Sequence, residues 1–213
     1  MARGILLGIL AMALVVVAAN ILVQFVVGDF LTWGAFTYPF TFLVTDLTNR
    51  FHGAAAARRV VAAGFAVGIG FSLVASQIAG PGGLPLTTFR IAVGSGIAFL
   101  AAQLLDIYVF NRLRHGSWWR APFVSSFFGS ALDTALFFSI AFSAALAFID
   151  PAADVAWAAT PLPLLGLGPV LPLWVSLAVA DFGVKLGLAM IALAPYRIAL
   201  GLFGGRSSTR ETF

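Results

Sequence analysis

Residues 5–27 read ILLGILAMALVVVAANILVQFVV, an apolar run without a single charge, preceded by Arg3. An α-helix needs about 20 such residues to cross the hydrocarbon core of a bilayer. A cleaved signal peptide would begin in the same way, with Arg3, an apolar core and small residues at Ala18 and Ala19. Here the apolar run continues well past those alanines, which favours a retained first helix.

The composition agrees with lipid as the solvent. Hydrophobic residues make up 61% of the 213 and charged residues 9%. A soluble domain carries roughly 25% charged residues, and so few charges could not cover a water-facing surface of this size. The net charge of +4 does not mark nucleic-acid binding. Lys and Arg gather in a few short loops instead of along one face. The chain has no cysteine, so thiol and disulfide chemistry are absent.

Five further segments follow the first. They span about 33–51, 60–79, 88–113, 121–149 and 172–200, the segment 60–79 ending at the breaker Gly80-Pro81-Gly82-Gly83. A proline-rich stretch, 151–172, precedes the last. The expected fold class is therefore all-α, a polytopic membrane protein with six transmembrane helices in one bundle. One domain is expected over 1–213, with a short cytoplasmic tail at 206–213. Basic residues cluster at Arg50/Arg58/Arg59, at Arg112/Arg114/Arg120 and at Arg206/Arg210, while the alternate loops carry Asp29, no charge over 80–87, and Asp150/Asp154. Short cytoplasmic loops retain Lys and Arg, so six crossings put both termini in the cytoplasm. Trp118 and Trp119 then fall at the inner boundary, and Trp33 and Trp174 at the outer one, as aromatic belts do.

Against this apolar background, Asp46, Asp106, Asp133, Asp181 and Lys185 stand out. A charge near the bilayer centre costs about 2.5–3.5 kcal/mol on insertion scales, so it faces the bundle interior, is paired, and marks function. Asp181 and Lys185 are four residues apart and can pair on one helix, which a purely structural brace would explain equally well. Asp46 and Asp106 lie toward the cytoplasmic ends of their helices, where snorkelling or capping competes with a functional role. Asp133 has no local cation and is the sharpest candidate. Among neutral groups, Asn20 and Gln24 share one face of the first segment, and Gln103 sits one turn before Asp106. Interhelical glue is their plainer reading. Arg90, just inside the outer end of the fourth segment, either snorkels or faces an outward cavity.

Converging carboxylates suit a ligand rich in N–H donors. Each accepts two hydrogen bonds at once, and charge-assisted bonds are about twice as strong as neutral ones. A guanine-like edge, with adjacent ring N–H and exocyclic amine, matches that acceptor. Motifs for chemistry are missing: no GxxxxGK[ST] loop, no HExxH. No enzyme activity, cofactor or metal is expected. The Gly64/Gly68 and Gly183/Gly187 spacings point to close helix packing.

An ordered set of residues resembles the queuosine precursor transporter family, the vitamin uptake transporter group. It begins with Thr32-Trp33-Gly34-Ala35-Phe36, Pro39-Phe40-Thr41-Phe42-Leu43-Val44-Thr45-Asp46-Leu47-Thr48, Gly53 and Arg58-Arg59. It continues through Arg90-Ile91-Ala92, Gln103-Leu104-Leu105-Asp106, Val109-Phe110-Asn111-Arg112-Leu113-Arg114, Trp118-Trp119 and Ala121-Pro122. Phe128-Gly129, Asp133-Thr134, Asp181 and Lys185 complete it. The resemblance implies a six-helix importer of 7-cyano-7-deazaguanine and 7-aminomethyl-7-deazaguanine in the bacterial inner membrane, serving queuosine salvage in tRNA. It implies a substrate site drawn from Asp133, Asp46, Asp181, Lys185, Asn20, Gln103 and Arg90. Its partners would be the small base and the lipid bilayer, with no nucleic acid bound. Whether the chain works alone, as a homodimer or with an ATPase module stays open at this level. The competing reading is a substrate-binding subunit energised by a separate ATPase.

Overall fold

The computed structural model describes residues 2–80, 83, 85–153 and 155–204. Asp154, Arg206, Arg210, the tail at 206–213 and the Pro81-Gly82 pair lie outside the described residues. Helix α1 (Ala2–Leu22) leads into a short antiparallel hairpin, β1 (Val26–Val27) and β2 (Leu31–Thr32), turned at Gly28. Helices α2 (Trp33–Thr37), α3 (Phe40–His52), α4 (Ala54–Ala75), α5 (Phe89–Leu113) and α6 (Arg120–Phe142) follow. A second hairpin, β3 (Pro161–Pro163) and β4 (Val170–Pro172), precedes the long α7 (Leu173–Gly204). Helices α1, α4, α5, α6 and α7 are each long and apolar enough to cross a membrane. The protein is an all-α polytopic membrane protein.

The second segment corrects the expectation of one helix over 33–51. It is two helices, α2 and α3, hinged at Tyr38-Pro39. Pro39 has no N–H to return to the preceding turn. The backbone tightens there instead, with Thr41 N–H donating to the Tyr38 carbonyl and Phe42 N–H to that of Pro39. The broken segment still runs antiparallel along α1, because Gly34 packs on Ala19 and Val23 while His52 packs on Gly4.

Other boundaries shift for local reasons. The first helix stops at Leu22, short of residue 27, where the chain turns into the β1–β2 hairpin. Gly53, at φ 83°, lets α3 turn directly into α4, so α4 begins at Ala54 and takes in Arg58 and Arg59. Helix α6 ends at Phe142, not at 149, and a 3₁₀ stretch, Ala144–Ile149, follows. The cause is Arg90 on α5. Its Nε donates to the Ile140 carbonyl at 2.6 Å and its Nη2 to the Ser143 carbonyl, satisfying the end of α6 with a buried guanidinium.

Helices α1, α4 and α5 share a core of Met12, Val16, Val60, Val61, Phe99 and Ile107. Gly64 and Gly68 allow that approach, since a Cβ on Gly64 would meet Met12 Cγ at 2.5 Å and one on Gly68 would meet Val16 at 3.3 Å. The matching expectation for Gly183 and Gly187 is corrected: nothing lies within 4 Å of a Cβ at either, so neither marks a tight helix contact.

The basic loops come together. Arg50 Nη1 donates to the Arg114 carbonyl at 2.8 Å, and Arg197 of α7 stacks on Trp118 at 4.7 Å. These turns and the start of α1 occupy one end of the bundle, and both hairpins the other.

Replacing Arg90 by Met should leave the Ile140 and Ser143 carbonyls without their donor. Loss of these charge-assisted bonds should cost about 2–3 kcal/mol, read as a lower thermal midpoint of the detergent-solubilised chain. An unchanged midpoint would show that the guanidinium does not hold the end of α6.

Candidate functional site

The hinge at Tyr38-Pro39, the middle of α6 and the middle of α7 converge on one ion cluster. Lys185 Nζ lies 2.6 Å from Asp133 Oδ2 on α6 and 2.5 Å from Asp181 Oδ2 one turn earlier on α7. It also donates to Thr134 Oγ1 at 3.1 Å, whose own hydroxyl donates to Asp181 at 2.8 Å. Tyr38 donates to Asp133 Oδ1 at 2.9 Å, and Lys185 sits over its ring at 5.4 Å. The one cation on α6, Arg120, stands at the start of the helix, far from Asp133, and α7 supplies the partner. Lys185 and Asp133 are 3% and 4% exposed, so the charges neutralise one another away from solvent. Two carboxylates to one ammonium leave a formal surplus of one negative charge.

This cluster forms the floor of a cavity of about 540 Å³ that rises toward the hairpin end of the bundle. Small-molecule sites fall in roughly the 300–1,000 Å³ range. Its wall is mainly apolar and includes the aromatic side chains of Phe71, Phe137, Phe138, Phe142 and Trp157. Asn20 lines it from α1, Gln24 from the turn just after α1, and Ser95 from α5. The Asn20 amide donates to the Val16 carbonyl at 2.8 Å, and that of Gln24 to the Leu86 carbonyl at 3.3 Å.

Below the cluster lies a narrow crevice of about 10 Å³, lined by Asp46, Ser126, Ser130, Lys185 and Tyr196. Lys185 borders both spaces. Asp46 therefore belongs to a second polar group nearer the basic end. Ser125 and Ser126 of α6 donate to its two oxygens at 3.3 and 3.5 Å, and Asp106 of α5 faces it. At 2% and 0% exposure, Asp46 and Asp106 do not snorkel.

The family model described as "Putative vitamin uptake transporter" matches residues 32–199. The chain belongs to this family. It is 44% identical over 142 residues to the "Queuosine precursor transporter" of Escherichia coli (strain K12), covering 61% of this chain and 64% of that one. It is also 46% identical over 121 residues to the "Probable queuosine precursor transporter" of Haemophilus influenzae, covering 52% of each. The chain thus spans between about half and about two thirds of the length of these curated relatives. No solved structure matches it.

Within this family member, the residues singled out in the sequence separate into four places. Asp133, Asp181, Lys185 and Asn20 line the cavity, and Asp46 lines the crevice. Gln103 ties α5 to α3, donating to Thr41 at 2.8 Å and accepting from Thr45 at 2.6 Å. Arg90 serves the end of α6 and is not among the residues lining either space. Sequence reasoning missed Tyr38 and Thr134 as partners of the cluster. The available signal for Tyr38 was its place before a proline inside an apolar segment. Thr134 carried no such mark.

Removing Lys185 alone should leave two facing carboxylates buried without their cation. Lys185→Gln is expected to cost about 3–5 kcal/mol. Asp133→Asn keeps the Lys185–Asp181 pair and should cost much less, and Lys185→Gln/Asp133→Asn should fall between them. Thermal midpoints of the three purified variants check this order; equal losses for both single variants would contradict a cation shared between two carboxylates.

Proposed function

We propose that this protein imports queuosine precursors, 7-cyano-7-deazaguanine and 7-aminomethyl-7-deazaguanine, across the bacterial inner membrane. The observation that carries the reading is the Tyr38–Asp133–Lys185–Asp181 cluster at the floor of a cavity of base-compatible size with aromatic side chains in its wall. A deazaguanine presents adjacent ring and exocyclic N–H groups, and a carboxylate from Asp133 or Asp181 accepts both. The flat ring stacks against phenylalanines in the wall, and Asn20 of α1 and Gln24 just after it add polar contacts. The names of the two relatives, both queuosine precursor transporters, support the same class of substrate.

The topology proposed is six crossings, with the hinged α2–α3 segment as the second. The basic end, with both termini, faces the cytoplasm, in keeping with retention of Lys and Arg on that side. The cavity then opens outward and the crevice points inward, with Lys185 between them. A base that takes over carboxylate acceptors from Lys185 weakens the closure beneath it. The substrate shifts the equilibrium toward an inward-open state only by this difference in binding between the two states.

In a host lacking both precursor synthesis and its own transporter, expression of this chain should restore queuosine in tRNA when either base is fed at low concentration. A boronate mobility-shift gel reads the result, and the more effective base names the preference. Asp133→Asn should reduce uptake at least tenfold at equal expression. Absence of queuosine with confirmed membrane expression would remove these bases as substrates.

The cysteine-free chain offers a direct check of the closure. A membrane-impermeant thiol reagent added outside should label Ser95→Cys, with protection by substrate, and should not reach Ser126→Cys. Labelling of both from outside would mean that the ion cluster does not close the cavity.

A further inference from the structure

Resting on the transport reading above, we infer that Asp46 and Asp106 form a proton-binding site, separate from the substrate cavity, that couples transport to the proton gradient. Both carboxyls are buried, at 2% and 0% exposure, and they face each other across α3 and α5. Among the described residues neither takes part in an ion pair. The hydrogen bonding around them is lopsided. Asp46 accepts from Ser125 and Ser126, whereas among the described residues no donor meets either oxygen of Asp106 in hydrogen-bond geometry, Ser125 and Asp46 being its polar neighbours. Asp106 is thus an unpartnered, fully buried group aimed at the other carboxyl.

Two like charges in contact inside a membrane protein are costly, and so is a buried acceptor left without a donor. One proton removes the first difficulty and relieves the second at one of the two oxygens. Placed on an Asp106 oxygen, it is donated to Asp46, which stays the carboxylate served by the two serines. Loading forms one O–H bond on Asp106, and release returns that proton to water.

The surroundings neither replace this proton nor leave room for a larger cation. On α3, Arg50 is engaged with the Arg114 carbonyl, and the unpartnered Asn49 amide lies one turn beyond Asp46. On α5, Gln103 is held by Thr41 and Thr45, and Arg114, just past its end, by Asn111 and Arg50. From α7, Tyr196 lines the crevice, and Lys185 is committed to Asp133 and Asp181. Arg3 on α1 and Arg58 and Arg59 on α4 are exposed. The crevice of about 10 Å³ at Asp46 admits about one water and not a hydrated ion. Because Lys185 borders both spaces, a substrate that draws its carboxylates away frees an ammonium beside the crevice. That positive charge opposes a proton on the pair and favours its release inward.

The test uses the full chain in proteoliposomes with the membrane potential clamped and 7-cyano-7-deazaguanine as the probe. With the outside one pH unit lower, one proton per neutral base should drive about tenfold accumulation. Asp106→Asn should keep counterflow exchange and lose accumulation, settling at a ratio of one. Wild-type protein that never exceeds a ratio of one, or Asp106→Asn that still concentrates the base, would overturn the proposal. Wild-type protein that moves no deazaguanine at all would instead remove the assigned substrate. Infrared spectra of the purified chain then decide the pair on their own. A protonated-carboxyl C=O band should be present in wild type, lost in Asp106→Asn and retained in Asp106→Glu; its absence from wild type would overturn the site.

Discussion

A buried ammonium in a lipid-embedded bundle must find its counter-charge within the protein, and Lys185 finds two. Everything near the middle of the molecule answers to that requirement. Helices α6 and α7 must meet at Asp133 and Asp181, Thr134 must bridge the carboxylate and the ammonium, and the Tyr38 hydroxyl must reach in from the hinge. Pairing of this kind is weak as a source of stability, because desolvation consumes most of the Coulombic gain. Its consequence is specificity of arrangement: the helices can slide or rotate only as far as the charges stay matched.

That constraint also makes the cluster suitable as a closure. A hydrophobic plug would be indifferent to a polar base above it. An ion cluster is not, since a ligand with N–H donors competes for the same carboxylate oxygens. The broken α2–α3 segment supports the arrangement because irregular backbone at membrane depth is tolerated where it lines a cavity. Pro39 opens the helix there, and the Tyr38 side chain occupies the opening.

The two polar layers differ in chemistry. The upper one is an ion cluster with a cation and four hydrogen-bonding partners, open to a cavity. The lower one is a carboxyl pair with two serines, closed except for a crevice. In the transport reading proposed above, separation of a ligand site from a small titratable site, with one lysine between them, is a compact way for two events to influence one another.

The apolar runs, the Lys and Arg placement and the isolated charges were legible in the sequence, because each reflects a transfer free energy that any single residue carries into lipid by itself. Asp133, Asp181 and Lys185 were marked for the same reason, and Asp181–Lys185 by its helical spacing. The partner of Asp133 was not legible, since α6 and α7 meet through tertiary packing that residue spacing does not encode. Arg90 was ambiguous for a related reason: its acceptors, the Ile140 and Ser143 carbonyls, are backbone atoms, which no side-chain pattern announces. The early end of α6 and the pairing of Asp46 with Asp106 likewise depend on which helices lie side by side, whereas the hinge at Pro39 had a local signal in the proline itself. The sequence determined which groups could not face lipid; the tertiary structure decided what each of them faces instead.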